Sequence, residues 1–149
     1  GMQVMLIEIA RSLVGLKNAT STEFSKDSDT PVISLLKDQE NLEIKGGSMR
    51  LGEFQCDLVS GTKAHDAYSV NVAFERHRHR YEFNNKYRDE FQKAGVVFSG
   101  IYKEKDLVEI AELKDHSFMV GSQFHPEFTS YPLKPNPLFV AFIKAIVKK

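Results

Sequence analysis

Val120-Gly121-Ser122-Gln123-Phe124-His125-Pro126-Glu127-Phe128 is the stretch on which the reading of this chain turns. Residues 116–123, with the apolar run Phe118 to Val120, read as a strand, and Pro126 forbids its continuation. His125 and Glu127 therefore stand where a strand breaks into a loop. Open α/β sheets place their ligands there, outside the carboxyl ends of the strands. A Glu two residues after a His can accept from one imidazole nitrogen and leave the other free to take a proton from a nucleophile. Taken alone, the same three residues also read as a strand-end turn with a solvated carboxylate.

A base and its orienter need a nucleophile. The sole cysteine, Cys56, lies in the alternating stretch Phe54-Gln55-Cys56-Asp57-Leu58-Val59. It lacks the Gly-flanked turn that exposes a nucleophile, and a cysteine inside a strand is usually a small buried hydrophobe. The other end of the chain is more suggestive. Gly1-Met2-Gln3-Val4-Met5 runs straight into an apolar helix, like the second half of a strand–turn–helix elbow.

Composition sets the frame. A chain of 149 residues suits one domain with a real core. With 42% hydrophobic residues and 20 basic against 20 acidic, it is ordinary globular material, and zero net charge argues against a nucleic-acid partner held by charge. A single cysteine precludes an intrachain disulfide and suits a reducing cytoplasm. Its apolar runs fall far short of the ~20 residues that span a bilayer, and no signal peptide is visible, so no membrane partner is expected.

Periodicity supplies the elements. Met2, Met5, Leu6, Ile9 and Leu13 predict a helix over 2–14, stopped at Gly15. Residues 18–30 read as loop, 31–36 as a strand and 38–41 as a turn. A short strand at 42–44 is broken by Gly46-Gly47, and short β segments follow at 49–51 and 56–59. A helical turn is expected at 62–67, a strand over 69–83 and a helix over 84–94 that stops at Gly95. Strands over 96–101 and 107–113 flank a turn at 103–106. Pro135 and Pro137 introduce a closing helix with Leu138, Phe139, Phe142, Ile143 and Ile146 on one face. No linker divides the chain.

Five stretches, in order, then match a known family. Gly1-Met2-Gln3, Ser21-Thr22-Glu23-Phe24, Gly46-Gly47-Ser48-Met49-Arg50-Leu51-Gly52, Glu75-Arg76-His77-Arg78-His79-Arg80-Tyr81-Glu82 and Gln123 to Ser130 resemble the C-terminal glutaminase domain of the CTP synthases, which are class I glutamine amidotransferases. Gln-Phe-His-Pro-Glu resembles the class generally, and the other stretches resemble CTP synthases within it. The resemblance implies an α/β fold: the C-terminal part, residues 1–149, of a flavodoxin-like, three-layer domain with a mixed sheet, its N-terminal half lying outside the chain. The family's nucleophile motif, Gly-x-Cys-x-Gly-Met-Gln, would end in Gly1-Met2-Gln3, with its Cys two positions before residue 1.

The resemblance also assigns roles. His125 and Glu127 would be catalytic, with oxyanion donors supplied by backbone amides around the elbow and an upstream glycine-rich loop. Gly1, Met2, Gln3, Glu23 and Arg80 would bind L-glutamine. A Glu for the α-ammonium and an Arg fork for the α-carboxylate suit a free amino acid. The 46–52 stretch would be a lid tied to GTP stimulation, although alone it reads as a β-turn. No cofactor or metal is expected in this chain. The full protein would use ATP, Mg²⁺ and UTP, with GTP as activator, and would be a homotetramer.

Other readings of these residues stand beside the family's. In 75–82, alternation puts the three Arg on one face and His77 and His79 on the other. That pattern also fits a charged edge strand, and His77 with His79 could begin a metal site. Glu23 could be a solvated loop acid. The chain as a whole could be an inert fragment or paralogue that at most binds glutamine. Finally, helix 2–14 would normally bury its apolar face against the missing half. Three large side chains left exposed would forfeit roughly 7 kcal/mol, against a total stability of ~5–15 kcal/mol, so the chain is expected to dimerise through the exposed sheet edge and this helix, to rearrange the helix, or to require its missing half.

Overall fold

The computed structural model describes residues 1–35 and 49–147. The predicted turn at 38–41, strand at 42–44 and break at Gly46-Gly47 lie outside these residues. Helix α1 (Met2–Ile9) continues as a π-helical segment, Ala10–Val14, and ends at Gly15, whose φ of +88° closes it. Strands β1 (Thr20–Ser21), β2 (Pro31–Ser34) and β5 (Glu82–Phe83) form a small mixed sheet, β1 parallel and β5 antiparallel to β2. The larger sheet has the order β4-β3-β6-β7-β8, all antiparallel: β3 (Arg50–Leu58), β4 (Val72–His79), β6 (Val96–Tyr102), β7 (Leu107–Leu113) and β8 (Val120–Ser122). Helices α2 (Lys63–Tyr68), α3 (Arg88–Lys93) and α4 (Pro137–Val147) complete an α/β fold with sheets of mixed sense.

Two apolar clusters hold these layers. One packs Met2, Leu6 and Ile9 of α1 and Ala10 of the π-helical segment against Val32, Ile33, Phe98, Val108 and Ala111. The rings of Phe83, Phe91 and Phe98 close it, with Phe83 5.0 Å from each of the other two centroids. The second cluster joins Cys56, Leu58, Ala64, Ala73, Ile110, Phe124 and Leu138. The sheet curls. After β8 the chain crosses its end, where Gln123 N–H donates to Glu109 O at 2.8 Å and His125 N–H to Arg76 O at 2.9 Å. The last bond joins the chain leaving one edge strand, β8, to the other, β4.

Several boundaries differ from the sequence reading. The two short segments at 49–51 and 56–59 are one strand, because β3 pairs with β4 through eight consecutive register positions and Gly52 is carried along opposite His77. The strand expected over 69–83 breaks at Arg80-Tyr81, which sends β5 into the other sheet. The helix over 84–94 starts as a 3₁₀ turn, Asn85–Tyr87, before α3. The strand over 116–123 shrinks to β8, and β1 lies in a stretch read as loop.

The expected exposure of α1 is also corrected. Met2, Leu6 and Ile9 are buried by this chain's own residues, and Met5 packs against the same cluster. Of the five predicted apolar positions only Leu13 is exposed, at 52%, together with Val4 at 61%. The deficit of three large side chains therefore does not arise. Gly121 makes the burial possible. A Cβ there would stand 2.7 Å from Met5 Cε and 3.1 Å from Met2 Cα, so α1 seats on β8 only because that position has no side chain.

Gly121→Ala should lower stability by about 1–3 kcal/mol through this overpacking. Urea unfolding of the 149-residue chain measures it, and an unchanged midpoint would show that α1 is not held at this distance.

Candidate active site

His125 follows β8 with an extended backbone, and Pro126 opens the 3₁₀ turn Pro126–Thr129 that carries Glu127 back toward the ring. His125 Nδ1 lies 2.6 Å from Glu127 Oε1, so Nε2 is free for chemistry. Burial acts to raise the Glu127 pKa. The hydrogen bond from His125 and one from its own backbone outweigh that, and the net shift is downward. Glu127 is thus kept as the carboxylate that fixes the imidazole tautomer. Phe128 stacks on the His125 ring, with centroids 5.0 Å apart and planes at 23°.

The turn is anchored from below. The Glu75 carboxylate, buried on β4, accepts from Thr129 Oγ1 at 2.7 Å, Tyr68 Oη at 2.6 Å and Asn136 Nδ2 at 2.8 Å. Asn136 Oδ1 accepts from Leu138 N–H at the start of α4. Burial, followed by the bond to Glu75, pushes the Tyr68 hydroxyl's pKa up, so it stays protonated as a donor. Glu127 therefore stands on a turn whose far end is fastened to β4 and α4.

His125 and Glu127 line a cleft of ≈ 680 Å³ together with Gly1, Met2, Gln3, Glu23, Phe24, His79 and the 120–124 segment. Arg80 lines an adjoining recess of ≈ 320 Å³, which shares Gln3, Glu23 and His79 with the cleft and adds Met49, Arg78 and Tyr81. All seven predicted site residues thus reach one connected depression. Glu23 and Arg80 are exposed there, free to meet a charged ligand. Cys56 lies elsewhere, wholly buried in the second cluster, and burial pushes its thiol pKa far up. It is not a nucleophile.

The alternation in 75–82 holds: Arg76 and Arg78 face outward, while Glu75 and His77 face inward on an edge strand. The two histidines contact each other, His77 Nδ1 to His79 Nε2 at 2.9 Å. Among the described residues no group of three or more His, Cys, Asp or Glu is arranged to hold a metal ion. Of the 46–52 stretch, Arg50 to Gly52 begins β3, and residues 46–48 lie outside those described.

Sequence reasoning missed the buried charges behind the cleft. Arg50 Nη1 lies 2.5 Å from Glu109 Oε1 and 3.4 Å from Glu82 Oε1, with the guanidinium over the Phe54 ring. His77 Nε2 sits 2.9 Å from Glu109 Oε2, close but not aligned for a hydrogen bond. His79 Nδ1 faces Tyr81 O at 3.2 Å and Glu82 Oε1 at 3.3 Å. Burial first, then the His77 and Arg50 charges, hold the His79 pKa down to about 3, so its ring is neutral. Burial pushes the Glu82 carboxyl up to about 7, against the pull of Arg50 and Gln123. No local signal marks these acids, because their partners are remote in sequence.

The profile of the glutamine amidotransferase class-I family matches residues 1–145. The chain belongs to that family. It is 55% identical to the CTP synthase of Coprothermobacter proteolyticus over 149 residues, which are all of this chain and 28% of that protein. It is 53% identical to the CTP synthase of Cytophaga hutchinsonii over 145 residues, 97% of the chain and 27% of that protein. It also superposes on a Trypanosoma brucei CTPS glutaminase domain with bound acivicin at a TM-score of 0.92 and 37% identity, covering 100% of the chain and 58% of that one. The family's fold is thus the fold seen here, and the chain matches the glutaminase portion of CTP synthases. It spans little more than a quarter of the length of the curated relatives it matches.

The buried pair gives opposite pH signatures. Glu82 has a folded pKa raised from 4.5 to about 7, so its contribution is present below 4.5 and is lost as pH rises through 7. His79 has a folded pKa lowered from 6.5, so its contribution is present above 6.5 and is lost as pH falls toward 3. Glu82→Gln removes the first effect. The stability of the variant relative to the parent should climb by on the order of 3 kcal/mol between pH 4.5 and 7.5, at ~1.4 kcal/mol per pKa unit. Urea unfolding across that range measures the difference, and a flat one would show that Glu82 titrates normally.

Proposed function

We propose that this chain is the glutamine-hydrolysing part of a CTP synthase. The full protein would release ammonia from L-glutamine and deliver it to UTP activated by ATP with Mg²⁺, forming CTP in the cytoplasm, with GTP as activator. The supporting observation is the His125–Glu127 pair at 2.6 Å, set in the same cleft as Gly1, Met2 and Gln3. In this reading the start of α1 is the far side of the nucleophile elbow, and the attacking Cys stands two positions before Gly1 in the full protein. Among the described residues no helix is long and apolar enough to cross a membrane.

The chemistry follows from the free Nε2. His125 takes the thiol proton, and the thiolate attacks the side-chain amide carbon of glutamine. The tetrahedral species collapses, and His125 returns the proton to the departing nitrogen as ammonia leaves. Water, deprotonated by the same nitrogen, then cleaves the thioester to glutamate. Glu127 holds the imidazole tautomer and stabilises the imidazolium in both half-reactions. Glu23 and Arg80 receive the ammonium and carboxylate of the amino acid, which sets free glutamine apart from simple amides.

Two measurements test this. In the full-length protein, His125→Ala should lower glutamine-dependent CTP formation at least ~100-fold and leave ammonia-dependent formation largely intact. Equal loss of both would assign His125 a structural role. The 149 residues alone, without an elbow thiol, should release no ammonia from glutamine above the buffer rate. Turnover that Cys56→Ser abolishes would overturn the assignment.

A further inference from the structure

Gln123 sits two residues before the base and is 93% buried by its neighbours, with only 7% of its surface exposed. Its side chain makes three hydrogen bonds, none of them to His125 or Glu127. Nε2 donates to Tyr81 O at 2.9 Å and to Glu82 Oε2 at 3.0 Å, and Oε1 accepts from Gln3 Nε2 at 3.2 Å. Gln3 Nε2 also donates to Tyr81 O, at 2.9 Å. A carboxamide has two donor hydrogens, and here both are used. Glu82 is itself held from the other side: its Oε1 faces Arg50 Nη1 of β3 and His79 Nδ1 of β4, with Glu109 of β7 behind Arg50.

Three segments converge on this amide. Tyr81 and Glu82 follow Arg80 directly, Gln3 opens α1, and Gln123 leads into His125. Each brings one element of the proposed site, and this set of bonds joins all three, beside the α1–β8 packing at Gly121 and the bonds from His125 N–H to Arg76 O and from Thr129 to Glu75. We infer that Gln123 and Glu82 are positioning residues for the glutamine cleft: the Gln123 amide, held by the Glu82 carboxylate, sets the spacing between the Arg80 turn, the start of α1 and the His125 loop. This rests on the glutaminase reading above. Displacements of about 1 Å at such a joint are enough to cost 10²-fold in rate.

Steady-state glutaminase kinetics of the full-length protein test the assignment. Gln123→Glu keeps the length, removes both donors and sets a carboxylate against Glu82. The value of kcat/KM for glutamine should fall at least about tenfold. Most of the loss should lie in KM, because the amide touches Gln3 and the backbone beside Arg80 rather than the His125–Glu127 pair. Adding Glu82→Gln exchanges donor and acceptor across the same contact and returns a bond between positions 82 and 123. The double variant should recover to within about threefold of the parent. A merely structural role predicts neither the KM-weighted loss nor the recovery.

A Gln123→Glu protein with parental KM and kcat would overturn the proposal, and so would a folded double variant as impaired as the single one. If Gln123→Glu does not fold, Gln123→Met serves, being of similar length and without the charge conflict. Raised KM at a parental thermal midpoint supports the proposal, and unchanged KM overturns it. A parent protein that hydrolyses no glutamine would instead remove the glutaminase reading, and this proposal with it.

Discussion

Two side-chain amides, those of Gln3 and Gln123, donate to the single carbonyl of Tyr81, and much of the cleft's shape depends on that meeting. Tyr81 lies where β4 ends and the chain turns into β5 of the other sheet, so its carbonyl is not used by either strand ladder. A buried backbone carbonyl left without a partner costs free energy comparable to a lost hydrogen bond. Here it faces the nearby His79 Nδ1 at 3.2 Å and accepts from two residues 78 and 42 positions away. The bonds that Gln3 and Gln123 make to this one carbonyl join the start of α1, the strand end before His125 and the junction between the two sheets. Gly121 permits the approach, since any side chain there would meet the first turn of α1.

Behind this joint lies a costly arrangement. Arg50, Glu82, Glu109, His77 and His79 are largely withdrawn from solvent, and desolvating ions is expensive unless each is paired. The cluster limits the cost in two ways. Arg50 supplies a cation to two carboxylates, and the pKa values move so that fewer charges persist: His79 is neutral and Glu82 is half-protonated near neutral pH. Replacing buried ion pairs by apolar side chains of similar volume is often neutral or stabilising. What they cannot do is offer a carboxylate to Gln123 at 3.0 Å, and thereby fix where the Arg80 turn lies relative to the base.

Much of the fold was readable in the sequence because it is local. The period of Met2, Leu6 and Ile9, with Gly15 after it, defines the first helix, and the apolar run 107–113 defines β7. The His125–Glu127 contact was readable for the same reason, since two residues and a proline determine it. What failed was non-local. Gly52 looks like a strand breaker, yet β3 runs through it because β4 pairs on both sides. Nothing local in β7 marks Glu109 and Glu112 as buried, yet one is claimed by Arg50, 59 residues away, and the other by the N–H groups of Lys63 and Ala64 at the start of α2. Gln123 was part of the quoted motif but had no assigned role, since its partners lie on three other segments. The family resemblance brought Glu23 and Arg80 to the site, which charge and periodicity alone did not.

The site thus divides by burial. The groups proposed to touch glutamine, Glu23 and Arg80, are exposed, and the His125 and Glu127 side chains are about 39% and 55% exposed, so a substrate can reach them and exclude water as it binds. The groups that hold them, Gln123, Glu82 and Glu75, are buried and multiply bonded. Ordering a side chain or a loop on binding costs entropy, so groups already held before the ligand arrives spare that cost and leave only the exposed side chains to be ordered. The same division makes His125 dependent on structure it does not touch: its ring is oriented by Glu127, Glu127 rides on a turn fastened through Thr129 to Glu75, and Glu75 belongs to the strand whose Arg76 carbonyl accepts from His125 N–H. Both anchors of the proposed general base therefore trace back to β4, the strand that ends at the Arg80 turn, so that the proposed base and the proposed substrate clamp are built on one piece of backbone.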